Sequence, residues 1–306
     1  MEISTNAIKE LRERTSAGMM DCKKALMENE GDMEKAIEWL REKGLSKAAK
    51  KAGRIAAEGI VDVCITDGAA ALVEINSETD FVAKNEDFRS YVKDVATQAA
   101  VTKVNDLEEF LNETWIKDQT KTVKDSLTEK IATIGENLNI RRFTKLDTKD
   151  GVVASYIHGG GKIGVLVKFA TTNNSDIVLE AGKNIAMQVA AVNPLYLSSN
   201  EIPADYVEKE KAILREQALS EGKPTDIVEK MIIGRLNKQL QEVCLLDQNY
   251  VKDPEMTITK YLESVSKQVG TDVKVASFVR FETGEGIEKK EENFADEVAK
   301  QVSSMK

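Results

Sequence analysis

The sequence predicts an α+β fold, in which a small helical bundle precedes two related halves that each contain an antiparallel sheet covered by helices. Three observations support this prediction. Short amphipathic helix patterns fill the first 44 residues, β-branched runs separated by turn residues begin at Gly59, and a similar order of elements recurs after Asp150. Only four prolines occur in 306 residues, so long helices are permitted. An inserted helical hairpin and a C-terminal helical module complete the expected architecture.

The composition limits the classes of function. Hydrophobic residues make up 42% of the chain and charged residues 31%, with a net charge of −9. This acidic balance argues against direct nucleic-acid binding, which normally requires a basic surface. The three cysteines (Cys22, Cys64 and Cys244) are odd in number and far apart, so we expect reduced cysteines without a disulfide framework. No apolar run reaches the ~20 residues of a membrane span, and the start lacks signal-peptide character, so we expect a cytoplasmic protein with no membrane partner.

Residues 1–44 are predicted to form a three-helix domain that ends near Gly44. Turn and cap residues at 15–18 and 29–32 separate three short amphipathic patterns. Their apolar positions are Ile8 and Leu11, then Cys22, Ala25 and Leu26, then Ala36, Ile37 and Leu40. The pattern resembles a UBA-like domain, with Gly18, Met19 and Met20 at its first loop. Such a fold would allow ubiquitin binding but does not establish it.

Residues 45–58 are predicted to form a basic linker helix, because lysines and Arg54 alternate with alanines. Ribosome or nucleic-acid binding is one interpretation of this charge. A solvated linker is favoured, since the segment lacks aromatic residues on which bases could stack.

The first α+β half is expected over residues 59–148. Two β-branched runs, Ile60–Ile65 and Ala71–Ile75, flank the turn signal Asp67-Gly68 and predict a hairpin. One helix pattern follows from Phe88 to Ala99, and a second from Leu107 to Ile134. A strand over Leu138–Leu146 completes the half.

The second half is expected over residues 149–288 and repeats this order. Strands at Val152–Ile157 and Ile163–Phe169 are followed by a helix through residues 177–192, and the last strand runs from Val273 to Phe281. The segment 186–191 also echoes 95–100, which predicts a duplicated unit.

An insertion at about 203–243 distinguishes the second half. Helical patterns over 203–220 and 224–243 meet at Gly222-Lys223-Pro224, and their narrow apolar stripes predict an antiparallel coiled-coil hairpin. Such a stripe indicates packing, although a projecting hairpin can also bind another protein or allow oligomers. Residues 289–306 are predicted to form the C-terminal helical module.

No catalytic constellation is evident. His158 is the sole histidine, and no serine or cysteine nucleophile adjoins it in sequence, so a structural role is favoured over base chemistry. The run Gly159–Lys162 is followed by Ile163, and position 156 is Tyr, so the spacing of a phosphate-binding loop fails. We therefore expect no metal, no cofactor and no enzyme activity.

The segment Ser77–Asn85 is the most informative part of the chain. It joins a strand to a helix and sets the acidic Asp80 beside the aromatic Phe81, where loops usually reach the surface. Two interpretations stay open from local chemistry alone. Phe81 could pack the following helix onto the sheet while Asp80 caps its first turn, or the pair could contact a partner.

A family resemblance favours the second interpretation. Thr79-Asp80-Phe81-Val82-Ala83-Lys84-Asn85 resembles the signature loop of elongation factor Ts, and the resemblance extends in family order over essentially the whole chain. The other similar segments are 11–15, 18–26, 130–142, 155–158, 163–167, 229–235 and 278–289. The chain departs from the family pattern at Asn184, Gln188 and Asn249, which puts partner contacts of the second half in doubt.

The resemblance implies a guanine-nucleotide exchange factor in translation elongation. Its partner would be elongation factor Tu, in GDP-bound and nucleotide-free forms. Thr79, Asp80, Phe81 and Val82 would displace Mg²⁺ from the nucleotide site of that partner, and the N-terminal bundle would add Arg12, Gly18, Met19 and Met20. The alternative is an interaction scaffold with a UBA-like module and no exchange activity.

Overall fold

The computed structural model describes residues 3–15, 17–221 and 225–288, without the side chains of 225–227. Its mixed helices and small antiparallel sheets confirm the predicted α+β class. The turn at Gly222-Lys223-Pro224 and the predicted C-terminal module at 289–306 lie outside the described residues.

The N-terminal bundle contains α1 (Thr5–Thr15), α2 (Met19–Glu28) and α3 (Met33–Lys51). Leu11, Cys22, Leu26 and Ala36 form its core, as the periodicity predicted. The third helix, which was predicted to end near Gly44, and the predicted linker helix form one continuous element, because α3 continues to Lys51. Gly44 is buried where α3 contacts Ala132 of a later helix, so tertiary packing outweighs the low helix propensity of glycine.

The first half has the order β1 (Glu58–Ile65), β2 (Ala69–Ser77), α4 (Asp80–Lys84), α5 (Glu86–Val101), α6 (Leu107–Asn112), β3 (Thr114–Trp115), β4 (Asp118–Thr122), α7 (Val123–Ile134) and β5 (Asn139–Asp147). β1, β2 and β5 form an antiparallel sheet in that order. The helix predicted from Leu107 to Ile134 is wrong as a single element, because the short β3–β4 hairpin divides it. A capping box between Thr122 and Asp125 starts α7 after the interruption.

The second half has the order β6 (Val152–His158), β7 (Ile163–Phe169), α8 (Asp176–Val192), α9 (Ala204–Ser220), α10 (Thr225–Val243), β8 (Asn249–Tyr250), β9 (Asp253–Thr257), α11 (Ile258–Val269) and β10 (Val275–Glu282). β6, β7 and β10 form the second antiparallel sheet, again with the middle strand supplied by the second strand of the hairpin. Short 3-10 turns at Ser199–Glu201 and Leu245–Asp247 flank the insertion.

The two halves are structural repeats. Gln98 of α5 accepts a hydrogen bond from the backbone N–H of Ile116 at 2.8 Å, and Gln188 of α8 accepts one from Val251 at 2.8 Å. β5 and β10 each carry one irregularity at the corresponding pairing position. The helices α7 and α11 share their terminal residues, with N-caps Thr122 and Thr257 and left-handed C-caps Gly135 and Gly270. From β3 in the first half and from β8 in the second half, the elements follow in the same order and their residues can be paired one to one. This correspondence confirms the duplication.

The halves meet through their sheets. Val61, Leu72, Leu166 and Phe281 belong to one buried cluster that draws on both sheets. Beside this cluster Glu74 of β2 is fully buried, and its carboxylate accepts hydrogen bonds from four donors in both halves. These donors are Arg142 Nε at 2.6 Å, Gly284 N at 2.8 Å, Arg141 Nη1 at 3.0 Å and Asn76 Nδ2 at 3.1 Å. A buried charge therefore joins the two units.

The inserted helices α9 and α10 pack against each other. Their buried contact consists of Leu214, Ala218, Val228, Ile232 and Leu236, which confirms the apolar stripe as a packing surface. An exposed ion pair joins Arg215 to Glu229 across the hairpin at 2.8 Å.

Candidate partner-binding tip

The tip segment (Thr79–Val82) lies where the buried strand β2 ends and the five-residue helix α4 begins. Thr79 is extended, and its Oγ1 accepts a hydrogen bond from the backbone N–H of Val82 at 3.3 Å. Asn85 ends α4 and caps α5 in the same way, through the N–H of Phe88 at 3.1 Å. Two successive caps thus hold the chain in a sharp turn between strand and helix.

Phe81 projects into solvent, with 79% of its surface exposed. Its neighbours Val82 and Ala83 instead pack on the core of the first half. The interpretation in which Phe81 packs α5 onto the sheet and Asp80 supplies the cap is therefore wrong on both points. Phe81 is free of the core, and Thr79 is the capping residue.

Asp80 is also exposed and forms an ion pair within α4. Lys84 Nζ donates a hydrogen bond to Asp80 Oδ2 at 2.6 Å, which holds the pKa of Asp80 below its ordinary value. The same ammonium lies 5.9 Å from the centroid of the Phe81 ring. The tip therefore presents an ionised carboxylate and an apolar ring side by side at neutral pH.

Residues distant in sequence support the tip. Glu136 lies after the C-cap of α7 and accepts hydrogen bonds from the backbone N–H groups of Glu78 and Thr79 and from the Thr79 hydroxyl. Arg89 of α5 donates to the carbonyl groups of Ala83 at 3.3 Å and Gly160 at 3.0 Å, so it ties α4 to the second half. The sequence alone assigns no role to Glu136 or Arg89. Neither residue differs in pattern from other surface charges, and no local signal marks a contact across 57 residues.

The predicted bundle residues lie on other elements. Met19 and Met20 begin α2 with 52% and 75% of their surfaces exposed, and Gly18 is the extended N-cap. Arg12 is exposed on α1. Gly18, Met19 and Met20 are neighbours in sequence at the start of α2, whereas the tip segment lies at the start of α4.

The positions that depart from the family pattern are used inside the second half. Asn184 is buried, donates to the Tyr261 hydroxyl at 2.9 Å and accepts from Lys252 at 2.7 Å. Gln188 is fully buried and donates to the carbonyl of Asn249 at 3.1 Å. Asn184 and Gln188 therefore act in packing, and the backbone of Asn249 takes part in the same network.

The glycine run after His158 is a β-turn between β6 and β7. Gly159, Gly160 and Gly161 all have positive φ, and His158 Nδ1 lies 3.0 Å from the Tyr156 hydroxyl. This matches the predicted hairpin turn, and the contact with Tyr156 is in keeping with the structural role expected of His158. Among the helices of the described ranges, none has the length and apolarity that a bilayer crossing requires.

Comparisons with known proteins agree with this architecture. The sequence model of the family described as Elongation factor TS matches residues 78–285, which is more than half of the chain and includes the whole tip segment. Elongation factor Ts of Clostridioides difficile (strain 630) is 57% identical over 302 residues, covering 98% of this chain and 99% of that protein. Elongation factor Ts of Clostridium novyi (strain NT) is 54% identical over 303 residues, covering 98% and 99%.

The duplicated α+β fold, its projecting tip and these matches define a translation elongation factor that takes part in protein biosynthesis. The family model and the two relatives confirm the predicted resemblance. The chain belongs to the elongation factor Ts family.

Proposed function

We propose that this chain is a guanine-nucleotide exchange factor that binds elongation factor Tu with GDP, weakens its Mg²⁺ and phosphate contacts, and promotes GDP release so that GTP can bind. It acts by binding, without covalent chemistry and without a cofactor. Family membership supports the class of function. The observation that carries the proposal is Phe81, a large ring held 79% exposed on a segment that two caps and Glu136 support.

The chemistry of the tip suits this role. Mg²⁺ bridges phosphate oxygens to protein ligands in octahedral geometry, so a small displacement of those ligands weakens the hold on the diphosphate. Phe81 is rigid, and burying such a side chain contributes about 1.5–3 kcal/mol. Asp80 carries a negative charge that can accept hydrogen bonds from the partner once it exchanges Lys84 for new donors. We propose that Thr79 and Val82 hold this pair in place at the partner surface.

Binding of this chain and binding of nucleotide to the partner are thermodynamically coupled, and this coupling indicates how much binding free energy the interface must supply. Any interaction that makes this chain bind the nucleotide-free partner more tightly must weaken nucleotide binding to the complex by the same ratio. A thousandfold weakening of GDP requires about 4 kcal/mol of differential binding. Because Phe81 alone supplies less than this, a wider interface must anchor the factor.

We propose that the N-terminal domain supplies part of that anchor through Arg12, Gly18, Met19 and Met20. Exposed methionines favour this role because they adapt to apolar partner surfaces. The proposed domain division is 1–44, 45–58, 59–148, 149–288 and 289–306, with α3 running across the first boundary. The helical hairpin is a second candidate for partner contact or for oligomer formation. A cytoplasmic location without direct nucleic-acid or membrane binding accords with the acidic net charge of −9.

The test is the release of fluorescent GDP from purified elongation factor Tu, with and without the full chain. We expect a large acceleration, and we expect Phe81→Ala and Asp80→Ala each to reduce it by about tenfold, the effect of ~1.4 kcal/mol. Ile65→Ala is the matched control, because Ile65 is 46% exposed at the opposite end of the same β1–β2 hairpin.

The outcomes separate the candidate functions. Unchanged GDP release in the presence of the intact protein would support the scaffold without exchange activity. Full activity in both tip variants would indicate that the wider interface, and not the tip, causes GDP release. A loss in Ile65→Ala equal to that in Phe81→Ala would show that exposed apolar area in general, and not the tip, is responsible.

A further inference from the structure

The carboxylate of Glu136 collects three hydrogen bonds at the base of the tip. Its Oε2 accepts from the backbone N–H of Thr79 at 3.0 Å and of Glu78 at 3.1 Å, and its Oε1 accepts from Thr79 Oγ1 at 2.7 Å. All three donors lie in the two residues that immediately precede Asp80 and Phe81. One half-buried side chain thus fixes both backbone and cap where the chain enters α4.

A second carboxylate makes the reverse contact. Glu78 Oε1 accepts from the backbone N–H of Asn137 at 2.5 Å and lies 3.4 Å from Arg54 Nη1. Asn137 in turn donates to the carbonyl of Arg54 at 2.7 Å. Glu136 and Glu78 therefore lock the β2–α4 junction and the α7–β5 junction together from both sides.

The internal repeat shows that this lock is not needed to build the fold. The counterpart of Glu136, one residue after the equivalent C-cap Gly270, is Thr271. The corresponding strand-to-helix connection, residues 170–175, contains no short helix between β7 and α8. The second half forms the same sheet and the same pair of helices without a carboxylate at this position. The lock is present in the half that carries the tip.

We propose that Glu136 is a positioning residue for nucleotide exchange, which holds Asp80 and Phe81 in the orientation that engages the partner; this inference rests on the function proposed above. A free tip segment would have to be ordered when it engages the partner, after the wider interface has already anchored the factor, and that ordering opposes the exchange step. Glu136 removes this penalty in advance, because the segment is already fixed in the unbound chain.

A carboxylate is the side chain that meets all three donors. Two oxygens provide enough lone pairs for two N–H groups and one hydroxyl, and the negative charge strengthens each bond. In Glu136→Gln the amide oxygen can still accept from the two backbone N–H groups. Its NH₂ group cannot accept from the Thr79 hydroxyl, so the lock is retained in part.

The experiment measures release of fluorescent GDP from elongation factor Tu over a range of concentrations of the full chain. This yields a maximal rate and a half-saturating concentration. We expect Glu136→Ala to lower the maximal rate by about tenfold, as the loss of bonds to a charged group predicts, with Glu136→Gln intermediate. The half-saturating concentration changes little, because the wider interface remains. Thr271→Ala, the matched control at the repeated position, keeps the full rate.

A double variant tests whether Glu136 acts through the tip. If it does, Glu136→Ala has a smaller effect on exchange in a Phe81→Ala background than in the unaltered chain, because only the positioning of Asp80 is left to lose. Equal losses in both backgrounds would overturn the proposal, since they would indicate a general structural role. An unchanged maximal rate in Glu136→Ala would also overturn it.

Urea unfolding of each variant identifies any loss of fold. If Glu136→Ala lowers the urea midpoint, the rates of GDP release are compared for Glu136→Gln instead, because glutamine preserves the shape of the side chain. A full maximal rate in a folded Glu136→Gln variant, together with loss of fold in Glu136→Ala, would overturn the proposal. A lack of acceleration by the unaltered chain is a separate result, which would overturn the proposed exchange function itself.

Discussion

Replacing Glu74 with alanine should destabilise the joint between the two halves. The Glu74 side chain has no exposed surface, and it accepts hydrogen bonds from Arg141, Arg142, Asn76 and the backbone of Gly284. Gly284 is 210 residues away and follows β10 of the second half. The substitution would leave two guanidinium groups without their buried partner and would open a cavity beside the inter-half cluster.

The structure sets the expected magnitude. Breaking a buried ion pair by removing one partner costs about 3–5 kcal/mol. The side chains of Arg141 and Arg142 are 25% and 30% exposed, so water replaces part of what they lose. We therefore expect the lower end, about 3 kcal/mol, which is a large share of the roughly 5–15 kcal/mol that stabilises a typical domain.

Urea unfolding, followed by circular dichroism at pH 7, measures this change. Glu180→Ala is the control, because Glu180 is exposed on α8 and a surface substitution there should change stability by no more than about 0.5 kcal/mol. A Glu74→Ala variant with the stability of this control would refute the reasoning, since the buried carboxylate would then contribute nothing to the joint.

The pH dependence gives an independent check with Glu74→Gln. Burial raises the pKa of Glu74, but hydrogen bonds from Gly284, Asn76, Arg142 and Arg141 together outweigh it, so the pKa lies below its ordinary value of 4.5. A carboxyl group whose pKa is lowered by folding stabilises the protein fully above its unfolded pKa and loses that contribution as the pH falls through the folded pKa. The stability difference between the unaltered chain and Glu74→Gln should therefore be constant near neutral pH and shrink below about pH 4.5. A difference that grows on acidification would contradict this sign.

Two further predictions concern the turn at Gly161 and the cysteines. Gly161→Ala should destabilise the chain by about 1–3 kcal/mol in urea unfolding, because Gly161 has φ of +112° and an added Cβ would lie 2.7 Å from Ile60 Cβ. Gly160→Ala, with φ of +69° and open space around it, should lose only about 1 kcal/mol, so equal losses would exclude the steric explanation. At pH 8 a thiol reagent should label Cys64, which is half-buried, before Cys22 and Cys244, since burial raises the pKa of both buried thiols. Peptide mapping identifies the order, and early labelling of Cys22 would contradict it.

Much of the fold could be predicted from local patterns. The hairpins β1–β2 and β6–β7, the strand β5 and the helices α5 and α8 lie within a few residues of their expected positions. The hydrophobic periodicity of each element indicates which of its sides faces a core, and this pattern depends only on residues within the element. The β3–β4 hairpin and its repeat β8–β9 were missed because each has one strand of only two residues, too short to show a period.

The amino-acid sequence alone determined the α+β class, the duplicated order and the position of the segment around Asp80 and Phe81 between a strand and a helix. Only the tertiary structure decided that Phe81 leaves the core while Val82 enters it, and that α3 continues past Gly44. It also revealed the Glu136 lock and the buried charge at Glu74, which depend on contacts across 57 and 210 residues. The physical reason is that local propensity is set by neighbouring residues, whereas the partner of a buried charge is set by how whole elements assemble.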